Sequence, residues 1–366
     1  MPIDYFEQQG GLIELMDDRS NHSSPLDIPA EDLQRCHDLL GMKTWQSLAG
    51  QSIFMTGGTG FIGKWLLATL LDADQRLGLN SKITVLSRDP VAFQRSWPGL
   101  PGSINWAKGD VRDFPINKQH FDVIVHAATD VVSQGSHLDV FSTCLDGTRR
   151  VLELARQCGA SRCLLVSSGA VYGPIPIGMS HVQETHMGGP DPLLPSSAYG
   201  EGKRVSEWLS SQASTEDFEV KIARVFALVG PHLPLDKHFA IGNFLRDALA
   251  GEQIVIQGDG TPCRSYLYAA DMAAWLWAVL IKGQPGRAYN VGSEESFSIR
   301  EIAEKVCCNL GCAPLLKMQQ QPRPGVAAMH YVPDITRTRK ELGLPVPMVL
   351  DEAISRTAQW FQSKTY

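Results

Sequence analysis

The middle of the chain alternates short apolar runs with longer segments that carry hydrophobic residues at helical spacing. The apolar runs are typical of buried strands, and they cover residues 53–54, 82–86, 104–111, 121–128 and 161–166. Helical spacing follows the first run over residues 61–71 and separates the last two runs over residues 137–157. Strands that alternate with helices in this way predict an α/β fold, a doubly wound parallel sheet with ligands at the carboxyl ends of its strands.

The first run leads directly into a glycine-rich turn with the spacing G-x-x-G-x-x-G. Glycine lets the chain turn tightly, lets the backbone approach a phosphate, and lets a helix pack closely on its strand. The N-terminus of the following helix adds unpaired N–H groups and the positive end of the helix dipole. We therefore predict that this turn binds the pyrophosphate of a dinucleotide. The predicted contacts are Gly57, Thr59, Gly60, Phe61, Ile62 and Gly63.

The end of the second run bears on the choice between NAD and NADP. In dinucleotide folds an acid at this position accepts hydrogen bonds from the adenosine ribose, whereas a small polar residue followed by arginine suits the 2′-phosphate of NADP. Here Ser87 takes the place of the acid and Arg88 follows it. The pattern favours NADP, with NAD as the alternative because Asp89 could turn toward a ribose. The third run is expected to deliver Asp110 to the same side of the sheet.

Composition and charge exclude several classes of protein. The 366 residues exceed a usual single domain, and 43% hydrophobic with 20% charged residues is typical of a soluble globular protein. A net charge of -6 without a long basic run argues against binding to nucleic acid or to a membrane surface. The sequence has no apolar segment long enough to span a membrane, and its start lacks the features of a signal peptide. We therefore expect a cytoplasmic protein.

Three of the eight cysteines cluster along the chain, namely Cys307, Cys308 and Cys312. They fall on a predicted helix, and no histidine lies nearby at the spacing of a metal ligand. We predict that they are reduced thiols, with neither a metal ion nor a disulfide.

A tyrosine and a lysine four residues apart suggest chemistry in a predicted helix over residues 197–212. Tyr199 and Lys203 share one face of that helix, so their polar ends can reach the same bound molecule. A free tyrosine titrates near pH 10, and a neighbouring ammonium group would lower its pKa and make it a better base. Ser168, at the end of the fifth run, could bind the substrate oxygen between them. His126, which ends the fourth run before two alanines, is more typical of a structural histidine.

In combination, the glycine turn, Asp110, the strand-end serine and the tyrosine–lysine pair make the chain resemble an extended short-chain dehydrogenase/reductase of the NAD(P)-dependent nucleotide-sugar epimerase/dehydratase family. The resemblance covers most of the chain after residue 50. It implies a Rossmann domain and a smaller C-terminal α/β substrate lobe. The expected divisions are an N-terminal extension over 1–49, an NAD(P)-binding domain over 50–225, and a lobe over 226–366 that mainly binds a nucleotide sugar and returns segments to the Rossmann sheet.

The resemblance also implies a role for each matching residue. Catalysis belongs to Ser168, Tyr199 and Lys203, of which the last two also contact the cofactor and Ser168 contacts the substrate. The other matches are Asp110 and Val111 at the adenine, Ala127 and Ala128 beside the cofactor, and Arg264 and Arg323 at the diphosphate of the substrate. The expected ligands are NADP, or NAD, and a nucleoside-diphosphate sugar. Helices near 137–157 and 197–212 resemble those that form a homodimer in the family.

The departures from the family pattern limit the reactions that this chain is expected to catalyse. Dehydratases and sugar-acid decarboxylases of the family usually carry a glutamate, often beside an aspartate, just after the catalytic serine or threonine, and this chain has Gly169 and Ala170 there. Without that carboxyl, abstraction of the C5 proton has no obvious base. Two further departures, Cys144 and Ala227, each replace an asparagine of the family.

These features favour an epimerase that acts by hydride transfer at the C4 carbinol of the sugar. The alternative is an NADPH-dependent reductase of nucleotide 4-keto sugars, which the Ser87 and Arg88 pattern supports. A 4,6-dehydratase or a decarboxylase is less favoured. A fourth hypothesis, of another class, is a non-catalytic protein that binds a dinucleotide and assembles with a partner.

Overall fold

The structure of the protein is a computed structural model, and it describes residues 25–117, 119–129, 136–237, 239–312, 316–323, 325 and 327–364. Residues 1–24 of the predicted N-terminal extension therefore lie outside the described residues. Among the described helices, none combines the length and the apolar character that crossing a bilayer requires.

Strands and helices alternate through the first two thirds of the chain, as the apolar runs predict. The strands are β1 (Ser52–Thr56), β2 (Lys82–Ser87), β3 (Asn105–Lys108), β4 (Val123–His126), β5 (Arg162–Ser168), β6 (Glu219–Val225), β7 (Leu228–Val229), β8 (Ile254–Ile256), β9 (Cys263–Arg264), β10 (Leu267–Tyr268), β11 (Ala288–Val291), β12 (Phe297–Ser298), β13 (Leu316–Met318) and β14 (His330–Tyr331). The helices are α1 (Ala30–Leu40), α2 (Met42–Gln46), α3 (Phe61–Leu77), α4 (Pro90–Ser96), α5 (His137–Cys158), α6 (Ala198–Ala213), α7 (Ala240–Leu249), α8 (Ala269–Lys282), α9 (Ile299–Leu310), α10 (Thr336–Leu342) and α11 (Leu350–Gln362).

The central sheet has seven strands in the order β11-β6-β5-β4-β1-β2-β3, and every pairing in it is parallel. Strands that are buried on both faces read as continuous apolar runs, which explains why β1 and β4 were evident in the sequence. The order reverses next to β1, so the carboxyl ends of β1 and β4 border a crevice. This arrangement confirms the predicted α/β fold, a doubly wound Rossmann sheet.

Short strands and helices of the C-terminal half form the smaller lobe. The three-stranded sheet β12-β9-β14 and the pair β13-β8 lie outside the central sheet. By contrast, β11 pairs with β6 as an edge strand of the Rossmann sheet, so a C-terminal segment does return to it. The numerical division into 1–49, 50–225 and 226–366 stays a prediction.

Helix α8 is one of the elements that the sequence analysis did not identify. Every residue from Ala269 to Leu280 is buried, so the helix has no polar face and no amphipathic period to detect. It packs against α1, α3 and strands β5 and β6. The C-terminal half thus supplies a core helix of the Rossmann layer.

The described part of the N-terminal extension is anchored on α8 and on the C-terminal helix α11. Arg35 Nε donates to Asp271 Oδ1 at 2.5 Å, and the Tyr268 hydroxyl donates to Asp32 Oδ2 at 2.5 Å. Arg356 Nη1, from α11, donates to the other oxygen of Asp32 at 3.0 Å. In the structure, α1 of this extension covers α8.

Two expectations about element bounds are wrong. The third strand ends at Lys108, so Asp110 follows the strand in a turn, where its backbone oxygen accepts from Phe114 N at 2.9 Å. Cys312 does not lie on the helix that carries Cys307 and Cys308. That helix ends before Gly311, whose φ of +65° is left-handed and stops the helix.

Candidate active site

The turn after β1 can only be made by glycine at two of its positions. Gly57 has a φ of +74°, and a Cβ on it would lie 2.6 Å from the backbone of Ala127 and Ala128. A Cβ on Gly63 would lie 2.0 Å from the carbonyl oxygen of Gly57. The glycine turn therefore packs tightly against the first helical turn of α3. This arrangement lets the backbone approach a phosphate closely.

Helix α3 begins without a side-chain cap. Gly60 is its N-cap residue and has no side chain that could accept from the first N–H groups, which belong to Phe61, Ile62 and Gly63. The seventeen residues of α3 also place the positive end of a full helix dipole at this point. An anionic group at this end of the helix would satisfy these donors.

A cavity of about 520 Å³ lies beside this turn at the carboxyl ends of the strands. Its lining contains nine of the predicted cofactor residues together with six further residues. The lining residues are Gly57, Thr59, Gly60, Leu86, Ser87, Arg88, Gly109, Asp110, Val111, Arg112, Ala127, Ala128, Thr129, Asp139 and Thr143. The glycines, the uncapped helix and the mixed polar and apolar lining together fit a dinucleotide.

Two arginines, Arg88 and Arg112, line this cavity, and the sequence analysis identified only the first of them. Arg112 donates to both oxygens of Asp110, at 2.9 and 3.0 Å, and these hydrogen bonds hold the pKa of that carboxyl below its usual range, with a smaller contribution from the charge of Arg88. Asp89, the residue that could have turned toward a ribose, instead caps α4 by accepting from Ala92 N at 3.0 Å. In the sequence, Arg112 is indicated only by its position two residues after Asp110.

Ser168 and Tyr199 meet at the end of β5. Tyr199 lies in the first turn of α6 and is half-buried, with Ser168 as a neighbour. Burial raises the pKa of Tyr199, and the proximity of the Ser168 hydroxyl offsets this only in part. Ser168 Oγ also accepts from Ala170 N at 3.2 Å, which fixes the serine at the start of the 3₁₀ turn Gly169–Tyr172.

Lys203 lies one helical turn beyond Tyr199 and reaches the lining of the cavity. Its Nζ donates to Thr129 Oγ1 and to the Val166 carbonyl oxygen, both at 2.7 Å. The side chain is almost fully buried, and this burial lowers the pKa of Lys203. Since Thr129 lines the cavity, the ammonium group lies directly behind the cavity wall. Thr129 was not evident from the sequence, because it follows a strand without any motif of its own.

His126 is held inside the sheet, in agreement with its interpretation as a structural residue. Its Nδ1 is 2.8 Å from Thr56 Oγ1 and its Nε2 is 3.2 Å from Thr148 Oγ1. Burial lowers the pKa of His126 to about 3, with a further contribution from the charge of Lys203. The ring therefore stays neutral and connects β4 to β1 and α5.

The two predicted diphosphate contacts lie in different surroundings. Arg264 is half-buried on β9, and its guanidinium lies 5.6 Å from the ring centre of Tyr331 on β14. Arg323 is exposed, and its charge adds to the effect of the Thr261 hydrogen bonds that lower the pKa of Asp259. The roles of both arginines stay predictions, as do those of the other site residues.

The space next to Gly169 is already filled. A Cβ at this position would lie 2.6 Å from the hydroxyl oxygen of Tyr331 and 2.7 Å from the ring of Phe226. The sequence analysis noted the missing carboxyl at Gly169 but not Tyr331, which lies far along the chain on a two-residue strand.

Comparison with known proteins places the chain among nucleotide-sugar enzymes. UDP-glucuronic acid decarboxylase 5 of Arabidopsis thaliana is 30% identical over 312 residues, which cover 82% of this chain and 86% of the relative. UDP-glucuronic acid decarboxylase 1 of Xenopus tropicalis is 28% identical over 323 residues, covering 85% and 72%.

Solved structures share the fold at lower identity. UDP-glucose 4-epimerase of Thermotoga maritima, determined with UDP-glucose, has a TM-score of 0.70 at 21% identity and covers 86% of this chain and 100% of its own. dTDP-glucose 4,6-dehydratase of Bacillus anthracis, determined with NAD, has a TM-score of 0.71 at 20% identity, with coverages of 86% and 97%. The model of one family matches residues 53–292, more than half of the chain. The protein belongs to the NAD dependent epimerase/dehydratase family.

Proposed function

We propose that the protein is a nucleotide-sugar epimerase that acts by hydride transfer at the C4 carbinol of the sugar. The observation that carries this proposal is that Ser168, Tyr199 and Lys203 occur together, with Lys203 bound to Thr129 in the lining of the proposed dinucleotide cavity, while Gly169 and Ala170 carry no carboxyl. The first three residues are those needed to move a proton at a carbinol. The last two lack the group that an elimination would require.

The proposed chemistry assigns one task to each residue. Tyr199 accepts the proton of the sugar C4 hydroxyl as the carbinol is oxidised and returns it when the ketone is reduced on the other face. Lys203 lowers the pKa of Tyr199 through its charge, against the effect of burial. Ser168 binds the C4 oxygen and keeps it within reach of the phenol. The nicotinamide of the bound dinucleotide supplies the acceptor and donor for the hydride.

The packing around Gly169 supports this choice over elimination. An acidic side chain at this position would collide with the Tyr331 hydroxyl and the Phe226 ring, so the site excludes a carboxyl there by shape as well as by sequence. The relatives named as UDP-glucuronic acid decarboxylases keep that reaction as a second candidate, because their identity reaches 30%.

NADP is our proposal for the cofactor, with NAD as the alternative. It is supported by Arg88 and Arg112 at the cavity, by Ser87 in place of an acid, and by the use of Asp89 as a helix cap. If NADPH is supplied from outside as a reductant, the same site would reduce a 4-keto sugar, so the reductase remains the rival function.

A nucleoside-diphosphate sugar is our proposal for the substrate. Arg264, half-buried beside the Tyr331 ring, and the exposed Arg323 can each offer a guanidinium to a diphosphate. The Thermotoga maritima epimerase was determined with UDP-glucose, and MoeE5 was determined with UDP-glucose and NAD. These structures support the substrate class, while the base and the sugar remain to be identified.

The proposal is tested by incubating the protein, with only trace cofactor present, with a panel of nucleotide sugars that includes 4-keto-6-deoxy forms and UDP-glucuronic acid. The products are then identified by chromatography and mass spectrometry. An isomer of unchanged mass would establish the epimerase. Conversion of a keto sugar only with stoichiometric NADPH would establish the reductase instead. Loss of carbon dioxide from UDP-glucuronic acid would overturn the proposal in favour of the decarboxylase.

We also propose a homodimer formed through α5 and α6. These helices pack side by side, and each exposes a large apolar side chain, with Leu138 78% and Trp208 61% accessible. Exposed apolar residues on adjacent helices are typical of an association surface. A sedimentation mass equal to one chain would refute the dimer, and Trp208→Glu should dissociate it.

A further inference from the structure

A second cavity, of about 460 Å³, lies at the β11 edge of the central sheet. It is lined by residues of α6, β6, β11, α10 and the 3₁₀ turn Gly169–Tyr172. Among the described residues, none lines both this cavity and the dinucleotide cavity. Small-molecule sites have volumes of roughly 300–1,000 Å³. The cavity is therefore a candidate site for a ligand other than the dinucleotide.

Four arginines and two glutamates supply the charge around this cavity, and two of the arginines already have close carboxylate partners. Arg224 donates to the two oxygens of Glu207, from Nη2 at 2.7 Å and from Nε at 3.0 Å. Arg287 Nη2 pairs with an oxygen of Glu341 at 2.7 Å. The guanidinium groups of Arg224 and Arg287 are therefore engaged in the protein's own ion pairs.

The other two arginines are Arg204 and Arg337, and in the part of the chain that the structure describes neither donates a hydrogen bond to a carboxylate. Arg337 Nη1 donates to the Ala288 carbonyl oxygen at 3.1 Å. Arg204 Nη1 donates to the carbonyl oxygens of Gly188 and Val171, at 2.7 and 3.2 Å. A guanidinium has five N–H groups. Both arginines therefore keep N–H donors for a further acceptor.

The nearby carboxylates leave these donors unsatisfied. Glu184 Oε2 is 3.7 Å from Arg337 Nε, and Glu201 Oε2, outside the cavity lining, is 3.6 Å from Arg204 Nε. Glu184 is instead bound by the backbone, since its Oε1 accepts from Asn290 N at 2.9 Å. The Glu184 side chain is 3% exposed, whereas those of Arg337 and Arg204 are 20% and 45% exposed. The lining thus presents guanidinium groups rather than this carboxylate to a ligand.

The wall behind these two arginines is held by a hydrogen-bond network. Arg224 Nη1 donates to the Tyr172 hydroxyl at 2.9 Å, and this hydroxyl donates to Asn290 Oδ1 at 2.7 Å. Glu207 Oε1 accepts from Ser167 Oγ at 2.6 Å. These hydrogen bonds join α6 and the three strands β5, β6 and β11. A ligand therefore meets a wall that is already ordered, which lowers the entropic cost of binding.

We propose that this cavity binds a phosphate group through Arg204 and Arg337, either as inorganic phosphate or as the phosphate ester of a small metabolite. A phosphate has enough oxygens to accept from two guanidinium groups, whereas the two oxygens of a carboxylate are used by one. The cavity volume of about 460 Å³ is many times the ~30 Å³ of a water molecule, so it leaves room for the organic part of an ester. The proposal does not depend on the reaction that the protein catalyses.

The test is isothermal titration calorimetry in phosphate-free buffer, with NADP⁺ in excess to fill the dinucleotide cavity. The probes are inorganic phosphate and glucose 6-phosphate. Arg337→Gln should weaken binding about tenfold, as expected for the loss of a charge-assisted hydrogen bond. Arg204→Gln should have the same effect from a different helix, and it decides the question if Arg337→Gln folds poorly. Tighter binding of the ester would identify a metabolite as the ligand, and equal affinities would identify inorganic phosphate.

Three control variants locate the bound phosphate. Arg264→Gln and Arg88→Gln remove proposed contacts with the substrate diphosphate and with the cofactor, and Arg300→Gln removes an exposed charge on α9. All three should leave the phosphate affinity unchanged. A loss confined to Arg264→Gln or Arg88→Gln would place the phosphate at a site already proposed and would overturn the inference. So would an absence of binding to the unaltered protein, or the same affinity in the Arg337→Gln and Arg300→Gln variants.

Discussion

The dinucleotide side of the site and the sugar side are built in different ways. On the dinucleotide side the backbone does most of the shaping, through Gly57, Gly63 and the uncapped start of α3. On the sugar side the shaping is done by side chains such as Arg264 and Tyr331, which two paired two-residue strands hold next to each other. A site that is shaped by the backbone comes from one continuous stretch of sequence. A site that is shaped by side chains combines residues that are distant along the chain.

The difference has a consequence for how each side tolerates change. A backbone site fails when an atom is added, because the turn and the helix have no room for a Cβ. A side-chain site fails when an atom is removed, because the lost hydroxyl or guanidinium has no substitute. The two sides can be separated by these opposite kinds of substitution.

The largest effect is expected where the two sides meet, at Tyr199. Tyr199→Phe removes the proton acceptor and should lower kcat about a thousandfold, with dinucleotide affinity unchanged. Steady-state kinetics and cofactor fluorescence would measure the two quantities on the same sample. Full activity in this variant would instead support the non-catalytic dinucleotide-binding hypothesis.

The second largest effect is expected from adding one carbon atom to the backbone-shaped dinucleotide side. Gly63→Ala places a Cβ 2.0 Å from the Gly57 carbonyl oxygen and should lower the free energy of unfolding by about 3 kcal/mol. Dinucleotide affinity should fall with it, since the turn must open. Gly102→Ala is the control, because a Cβ there has no neighbour within 4 Å and urea unfolding should be unchanged. Equal stability of the two variants would contradict the backbone account.

A smaller effect is expected from the part of the dinucleotide side that does depend on a side chain. Arg88→Ala should weaken NADPH binding about thirtyfold, as for the loss of a charge-assisted hydrogen bond, and leave NADH binding unchanged. Titration calorimetry with both cofactors gives the comparison. Arg95→Ala, on α4 outside the cavity lining, serves as the surface control. A parallel loss for both cofactors would argue against a 2′-phosphate site.

The smallest effect is expected from a substitution that changes the sugar side alone. Arg264→Lys keeps the charge but loses the planar fork, so KM for the nucleotide sugar should rise about tenfold. Initial rates across a range of sugar-nucleotide concentrations would show the change. The matched control, Arg300→Lys, alters an exposed pair with Glu304 on α9 and should leave KM unchanged. If KM is the same in both variants, Arg264 does not bind the diphosphate.

The contrast between the two sides also explains what the sequence could predict. The Rossmann sheet and the glycine turn were predicted because their signals are local, an apolar run followed by fixed glycine spacing. Tyr199 and Lys203 were evident for the same reason, since four residues on one helix define their geometry.

The residues that the sequence missed depend on contacts between distant segments. Tyr331 comes to Gly169 through the folding of a distant segment, in which β14 pairs with β9, and no local pattern encodes that pairing. Thr129 is identified by its contact with Lys203 alone. Helix α8 escaped detection because burial on all sides removes the period that marks a surface helix.

The anchoring of α1 has a consequence for synthesis on the ribosome. Asp32 on α1 is bound by Tyr268 and by Arg356, and Arg356 lies on the last described helix. Translation delivers residues from the N-terminus onward, so α1 emerges long before either partner exists. Its final docking must wait until nearly the whole chain has been translated, which makes the earliest described helix among the last to be locked into place.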